Sequence, residues 1–262
     1  MPQLYIRGQS LAYAVKPVNF DRSLLALLFI HGTGGDSNDW RGQLEGLSSR
    51  ATVIALELPG HGTSDQPGET SVRAYVEWVV DFIEEVGLKR VFVVGCSLGS
   101  AIAQMIALSP RPWLAGIGLV GTGARLRVHP AFLDGLRQDK EKALGMLADF
   151  CLSPATGNPL REEMRIKYLR ADPELIYSDL IACNEFDVME EIRQVDLPTW
   201  IIVGNDDKLT PPKYADYLHT AISGSRLSTV SDAGHLVMME RPVEFNRQLA
   251  GFLVDVGLIS PT

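Results

Sequence analysis

The chain has 262 residues, 46% of them hydrophobic and 21% charged, with a formal net charge of −8. That length lies near the upper edge of what one hydrophobic core can serve, and the composition is that of an ordinary globular protein. The acidic balance argues against nucleic acid as a partner, because phosphates are bound by clustered Lys and Arg, and no basic run or solenoid repeat is present.

The opening residues, MPQLYIRGQS, lack a basic stretch followed by an apolar one, so no secretory signal is expected. The longest apolar run, LLALLFI at 24–30, has seven residues. A membrane span needs about 20, so no membrane contact is expected. Cys96, Cys151 and Cys183 are an odd set without paired spacing, which suits a reducing compartment better than a disulfide framework. These features predict a soluble, cytoplasmic protein; nothing in them indicates an oligomeric state.

In chain order, residues 4–6 and 11–15 flank Arg7-Gly8-Gln9 and read as a hairpin. A strand at 24–30 ends at His31-Gly32, and one at 52–58 ends at Pro59-Gly60. A helix over 71–86 opens on Ser71 and carries Val72, Tyr75, Val76, Val79, Val80 and Ile83 at helical spacing. Strand 91–95 leads into a helix at 97–108, and strands at 116–121, 199–204 and 226–230 follow, with helices at 212–222 and 243–254. The central runs hold Val, Ile and Leu without alternation, as parallel strands covered on both faces do. The pattern predicts an α/β fold, a doubly wound and mostly parallel sheet. Residues 126–195 break the rhythm: they are rich in Leu, Ala, Met, Glu, Lys and Arg and hold almost no β-branched run. They are too long for a connection and predict a helical cap, inserted into a core of 1–125 and 196–262. Such a cap would lie over the C-terminal edge of the sheet, where open α/β sheets bind ligands.

Gly95-Cys96-Ser97-Leu98-Gly99 fits G-x-S-x-G with a strand before it and a helix after it. A plain turn could place Ser97 there as a helix cap. A nucleophile needs the same sharp turn, with small flanking residues and a helix N-terminus behind the hydroxyl. A serine hydroxyl also needs a base and a carboxylate to orient that base. His235 follows Gly234, and Asp207 lies three residues past Gly204, with Asp206 as its neighbour and rival. Of that pair, one would face the site and the other would cap the turn. The order Ser97, Asp207, His235 places all three at strand ends, on one edge of the sheet. The stretch FIHGTGGDSNDW bends the chain close at Gly32, so that the Thr33 N–H, with the Leu98 N–H, can point at a developing oxyanion. HGTGG fits neither phosphate-binding glycine pattern, which argues against a dinucleotide.

HGTGG, LPGHGTSD, GCSLGS, GNDDKLTPP and GHLVMMERP occur together in this order, and the chain from about residue 3 to 254 resembles the α/β-hydrolase superfamily, in particular its small capped esterases and lactonases such as the 3-oxoadipate enol-lactonases. The resemblance implies Ser97 as nucleophile, Asp207 and His235 as the rest of a triad, Thr33 as an oxyanion donor, and no metal or organic cofactor. It implies hydrolysis of a carboxylic ester or lactone of a small, partly apolar molecule through an acyl-enzyme. The same triad acting on a C–C bond or thioester, and a small-molecule receptor using the pocket, are the alternatives. Three positions depart from the pattern: Ser100 replaces a frequent glycine, Glu57 replaces a frequent Asp, and Leu236 replaces the Trp usual in C–C hydrolases. Ser97 itself excludes a nucleophilic Asp.

His31 and His61 sit in Gly-flanked turns and are expected to make structural hydrogen bonds rather than hold a metal. Cys96 is expected to turn into the core, and Asp232 to hold the histidine loop. Asn184, Asp187 and Met189 lie where the cap returns to the sheet and are the candidate substrate contacts. Arg125 and Arg127 open the cap, either solvated or facing a substrate carboxylate.

Overall fold

The computed structural model describes residues 1–261. Eight strands form one sheet: β1 (Gln3–Ile6), β2 (Gln9–Lys16), β3 (Leu25–Ile30), β4 (Thr52–Leu56), β5 (Arg90–Cys96), β6 (Leu114–Val120), β7 (Thr199–Gly204) and β8 (Arg226–Val230). Their spatial order is β1-β2-β4-β3-β5-β6-β7-β8. The opening hairpin is antiparallel and pairs antiparallel with β4, while every other neighbour is parallel. Arg7 and Gly8 turn the hairpin, both with positive φ, as a tight two-residue connection requires. The chain runs from β3 outward to β4 and then returns to β5 on the other side of β3. The loops after β3 and β5 therefore flank the point where strand order reverses, the usual place for a ligand.

The sheet separates side chains by strict alternation. Leu28, Ile30, Val91, Val93, Ile117, Leu119, Ile201 and Val203 face one core layer, and Leu27, Phe29, Phe92, Val94, Cys96, Val120, Trp200 and Ile202 face the other. Each such buried apolar side chain contributes roughly 1.5–3 kcal/mol. Helices α2 (Val72–Val86), α3 (Leu98–Leu108) and α8 (Pro212–Ala221) cover the first layer. Helices α1 (Arg41–Gly46), α9 (Val237–Glu240) and α10 (Pro242–Asp255) lie on the second. Helix α2 shows how local sequence sets these bounds: the Ser71 hydroxyl accepts from Ala74 N at 3.2 Å at its start, and Gly87 ends it at φ 78°.

Between β6 and β7 lie α4 (Pro130–Gln138), α5 (Lys140–Phe150), α6 (Asn158–Arg170) and α7 (Pro173–Glu185), within the stretch read as helical from composition. Their apolar residues, Phe132, Leu144, Leu147, Met164, Tyr168, Ile176 and Leu180, are continuous with the second core layer. Among the described residues no helix is long and apolar enough to cross a membrane.

Candidate active site

Strand β5 ends at Cys96 and α3 begins at Leu98, so Ser97 alone makes the turn. Its φ of 53° and ψ of −113° lie in a region that costs a residue with a Cβ about 1–3 kcal/mol. Glycine on both sides makes the turn possible. A Cβ at Gly95 would collide with the Gly99 carbonyl, and one at Gly99 with the Ile30 carbonyl. Ser97 stands at the N-cap of α3 but makes no capping hydrogen bond with its side chain. Ser100, the departure from a glycine, fits behind the elbow. Its Oγ accepts from Val120 N at 3.0 Å and donates to the Gly95 carbonyl.

Asp207 and His235 meet beyond the ends of β7 and β8. The His235 Nδ1–H donates to Asp207 Oδ2 at 2.9 Å, and the Thr210 hydroxyl donates to the same oxygen at 2.8 Å. Asp207 Oδ1 accepts from Leu209 N at 2.9 Å and Thr210 N at 2.8 Å, which locks the carboxylate in place. The sequence reading divided facing the site and capping the turn between the two acids; Asp207 does both. Asp206 instead accepts from the Ser153 hydroxyl, in the loop that follows α5. With Nδ1 as donor, Nε2 of His235 is left with a lone pair, and His235 and Ser97 line one cavity. The main-chain N–H of His235 donates to Cys151 O at 2.9 Å, so the inserted helices also support the histidine loop. Asp232, at φ 53°, turns that loop, and Glu240 accepts from Gly234 N at 2.7 Å and Ser153 N at 2.8 Å.

After β3 the chain packs against the elbow, and a Cβ on Gly32 would lie 3.1 Å from Ser97 Cβ. Thr33 lines the cavity, and among the described residues neither its N–H nor that of Leu98 donates to another protein atom. The His31 Nδ1–H donates to Gly32 O at 2.8 Å, and Nε2 accepts from Leu58 N at 3.1 Å. Burial and the adjacent His61, 4.7 Å away between ring centroids, hold the His31 pKa well below its usual value, which matches this neutral tautomer. Glu57 ties the same region together, accepting from the Ser37 hydroxyl at 2.7 Å and Thr63 N at 2.6 Å.

His61 is a different case. Its Nδ1 faces Pro59 O at 3.0 Å and its Nε2 faces Asp179 Oδ2 at 2.9 Å, and both partners are acceptors. Only the doubly protonated ring satisfies both. Burial is the strongest single influence and opposes that charge, but the charge and hydrogen bond of Asp179 and the bond to Pro59 O together raise the His61 pKa. Tyr75 donates to the other Asp179 oxygen at 2.8 Å. This buried ion pair joins the loop after β4 to α7, a link that residues 118 positions apart do not advertise in sequence.

The cavity has a volume of about 360 Å³. The inserted segment supplies much of its wall, including Phe132, Met146, Leu147, Phe150, Met164 and Leu180, while Leu209 and Leu236 come from the sheet edge. All three cysteines line it, and burial raises each thiol pKa, to about 12 for Cys151 and Cys183. They are apolar lining rather than nucleophiles. Asn184, Asp187 and Met189, the expected substrate contacts, do not line this cavity. Asn184 Oδ1 accepts from Val128 N at 3.1 Å, Asp187 lies 3.7 Å from both Arg125 and Arg127, and Met189 lines a separate hollow of about 260 Å³. Asn184 lies in the last turn of α7, with Asp187 and Met189 just past it, whereas the wall is drawn from α4–α7 and from residues 126–129 before them. Arg127 does reach the main cavity. Thr210 was legible in principle, three residues past Asp207 at the spacing of an Asx-type turn; Tyr168 and Lys167 on α6 carried no sequence signal.

Comparison with known proteins agrees with this geometry. Residues 27–248 match the model of the alpha/beta hydrolase family. A solved thermophilic esterase is 33% identical, with a TM-score of 0.85 and 98% of both chains covered. The 3-oxoadipate enol-lactonase 1 of Acinetobacter baylyi is 24% identical over 91% of this chain and 92% of its own length. The dihydrolipoyllysine-residue acetyltransferase component of the acetoin cleaving system of Cupriavidus necator is 27% identical, and the match takes in 85% of this chain and 62% of that protein's length. Sheet order, the elbow at Ser97 and a match over most of the chain agree: this hydrolase chain belongs to the alpha/beta hydrolase family.

Proposed function

We propose that the protein is a serine hydrolase that cleaves a carboxylic ester or lactone of a small, partly apolar substrate through an acyl-enzyme. The observation that carries this reading is the buried Asp207–His235 hydrogen bond opening on the cavity that Ser97 also lines. His235 Nε2 takes the Ser97 proton as Oγ attacks the carbonyl carbon. The Thr33 and Leu98 N–H groups, without other partners among the described residues, stabilise the tetrahedral oxyanion. Asp207 holds the imidazole in the Nδ1–H tautomer and supports the imidazolium. His235 then protonates the leaving alcohol, and water activated by the same nitrogen releases the acid.

The helices of residues 126–195 act as a cap on a core made of 1–125 and 196–262, since their apolar side chains wall the cavity above Ser97. A wall of Phe, Met and Leu favours an apolar acyl or alcohol part. The esterase and enol-lactonase relatives support the bond type. Three free, buried cysteines favour the cytoplasm.

The test is turnover of p-nitrophenyl acetate, butyrate and octanoate by wild type and Ser97→Ala, with labelling by a serine-directed phosphonate read as intact mass. Turnover and single labelling, both lost in Ser97→Ala, are expected. Labelling at Ser97 without ester turnover would move the bond to a thioester or C–C bond, or the protein to a receptor. Absence of labelling would overturn the triad.

A further inference from the structure

The loop from Thr33 to Trp40 carries the expected oxyanion donor, and helix α6 grips it at two places. Lys167 and Tyr168 are consecutive on α6 and reach different parts of the loop. The Tyr168 hydroxyl donates to Thr33 O at 3.2 Å. The Lys167 ammonium lies 3.1 Å from Asp36 Oδ2 and 2.5 Å from Asp39 Oδ1. Those two acids are the reciprocal cap of a short turn at Ser37–Trp40: Asp36 Oδ1 accepts from Asn38 N at 2.8 Å, and Asp39 Oδ2 accepts from Asp36 N at 3.3 Å.

The grip is internal. Tyr168 and Asp39 are buried, both line the cavity, and Lys167 is largely covered. Between the two anchor points, Gly34 takes φ 65° and lies so close to α6 and α7 that an added Cβ would collide with Ile176 and stand 3.2 Å from Tyr168 Cε1. A hydrogen bond on the Thr33 carbonyl fixes the Thr33–Gly34 peptide plane, which narrows the rotation left to the adjoining Gly32–Thr33 plane that carries the Thr33 N–H. Oxyanion stabilisation depends on donor placement to a fraction of an ångström, so a support that leaves the donor in place but loosens it acts on rate.

We propose that Lys167 and Tyr168 are positioning residues that hold the Thr33 N–H on the developing oxyanion, so that the inserted helices govern the rate of acyl transfer as well as the shape of the cavity. The proposal rests on the acyl-transfer reading above. It differs from a packing role in what it moves: transition-state binding falls while substrate binding does not.

The experiment compares wild type with Tyr168→Phe, Lys167→Gln and Lys167→Arg on p-nitrophenyl butyrate. Alongside kcat and KM it measures inhibition by an alkyl trifluoromethyl ketone, whose adduct with serine places an oxyanion in the site, and by the matching alkyl methyl carbinol, which does not. Tyr168→Phe and Lys167→Gln are expected to lower kcat about tenfold with KM within about twofold, and to weaken the trifluoromethyl ketone in parallel while the carbinol is unchanged. Lys167→Arg is expected to restore most of the rate. Phosphonate titration corrects each rate for the fraction of assembled sites, so a variant that folds poorly is not misread. Unchanged kcat per titrated site, a change in KM alone, or equal weakening of both inhibitors would overturn the proposal while leaving the acyl-enzyme reading intact. A wild type that neither turns over esters nor labels would overturn both.

Discussion

Replacing Asp207 by Asn tests the orientation of the base. Asn is nearly isosteric, so its carbonyl keeps the bonds from Leu209 N and Thr210 N, recorded for the carboxylate at 2.9 and 2.8 Å. Its amide then faces His235 Nδ1 and the Thr210 hydroxyl, where Asp207 Oδ2 accepts from both. Two hydrogen bonds to a charged acceptor are lost, each worth about 1.5–3 kcal/mol, part of which returns when the Thr210 hydroxyl rotates to accept. The larger effect is on the tautomer: the amide donor forces Nδ1 to accept and moves the proton to Nε2, the atom that must take it from Ser97. In serine protease triads the equivalent change costs about 10⁴ in kcat, or roughly 5.5 kcal/mol of barrier. The same loss is expected here, measured as kcat on p-nitrophenyl butyrate per folded molecule, with the rate of phosphonate labelling falling alongside. Asp206→Asn is the matched control. It faces Ser153 rather than the imidazole and is expected to stay within about threefold of wild type, as changes off the reacting groups do. A folded Asp207→Asn within about tenfold of wild type, or an Asp206→Asn that is the more damaged, would refute the assignment.

Three further expectations follow from other parts of the molecule. The raised pKa of His61, caused by Asp179 against burial, means that this pair stabilises the fold fully below the unfolded histidine pKa of about 6.5 and loses that contribution as pH rises through the folded value. Wild-type Tm should therefore decline above about pH 6.5, and Asp179→Asn should flatten the decline and cost about 3 kcal/mol, or roughly 6–12 °C, at pH 6. A decline equally steep in the variant would count against a charged pair. Ser100→Ala leaves the buried Val120 N–H without its acceptor and should lower stability by about 1–3 kcal/mol in urea titration, an unchanged midpoint being the adverse result. Met146→Trp adds bulk to the cavity wall and should lower the octanoate-to-acetate ratio of kcat/KM by about tenfold. Equal loss on both esters would place the acyl chain elsewhere.

Most of the fold was legible because its signals are local. The apolar run at 24–30 fits a strand hidden on both faces, which β3 is from Leu25 to Ile30, and Ser71 and Gly87 mark the ends of α2 by cap chemistry. The strands were found within a residue or two of their ends. Ser97, Asp207 and His235 were legible for the same reason: each stands just beyond a recognisable strand, and parallel strands bring such positions to one edge.

What depends on packing across long separations was not legible. Asp206 and Asp207 are adjacent and chemically identical, and only the approach of the histidine loop to one and of Ser153 to the other tells them apart. Asn184, Asp187 and Met189 were expected against substrate from their place in the chain, yet the cavity that Ser97 lines is walled by other residues of the same segment. His61 with Asp179, and Lys167 and Tyr168 with the loop from Thr33, are pairs separated by more than a hundred residues, 118 in the first case and 135 between Tyr168 and Thr33. Sequence determined the sheet, the elbow and the order of Ser97, Asp207 and His235 along the chain, because strand periodicity, glycine sterics and cap chemistry act over a few residues. The tertiary structure decided which carboxylate meets the histidine, what walls the cavity and what grips the loop from Thr33 to Trp40, because those depend on how helices inserted between β6 and β7 settle on an edge built by other parts of the chain.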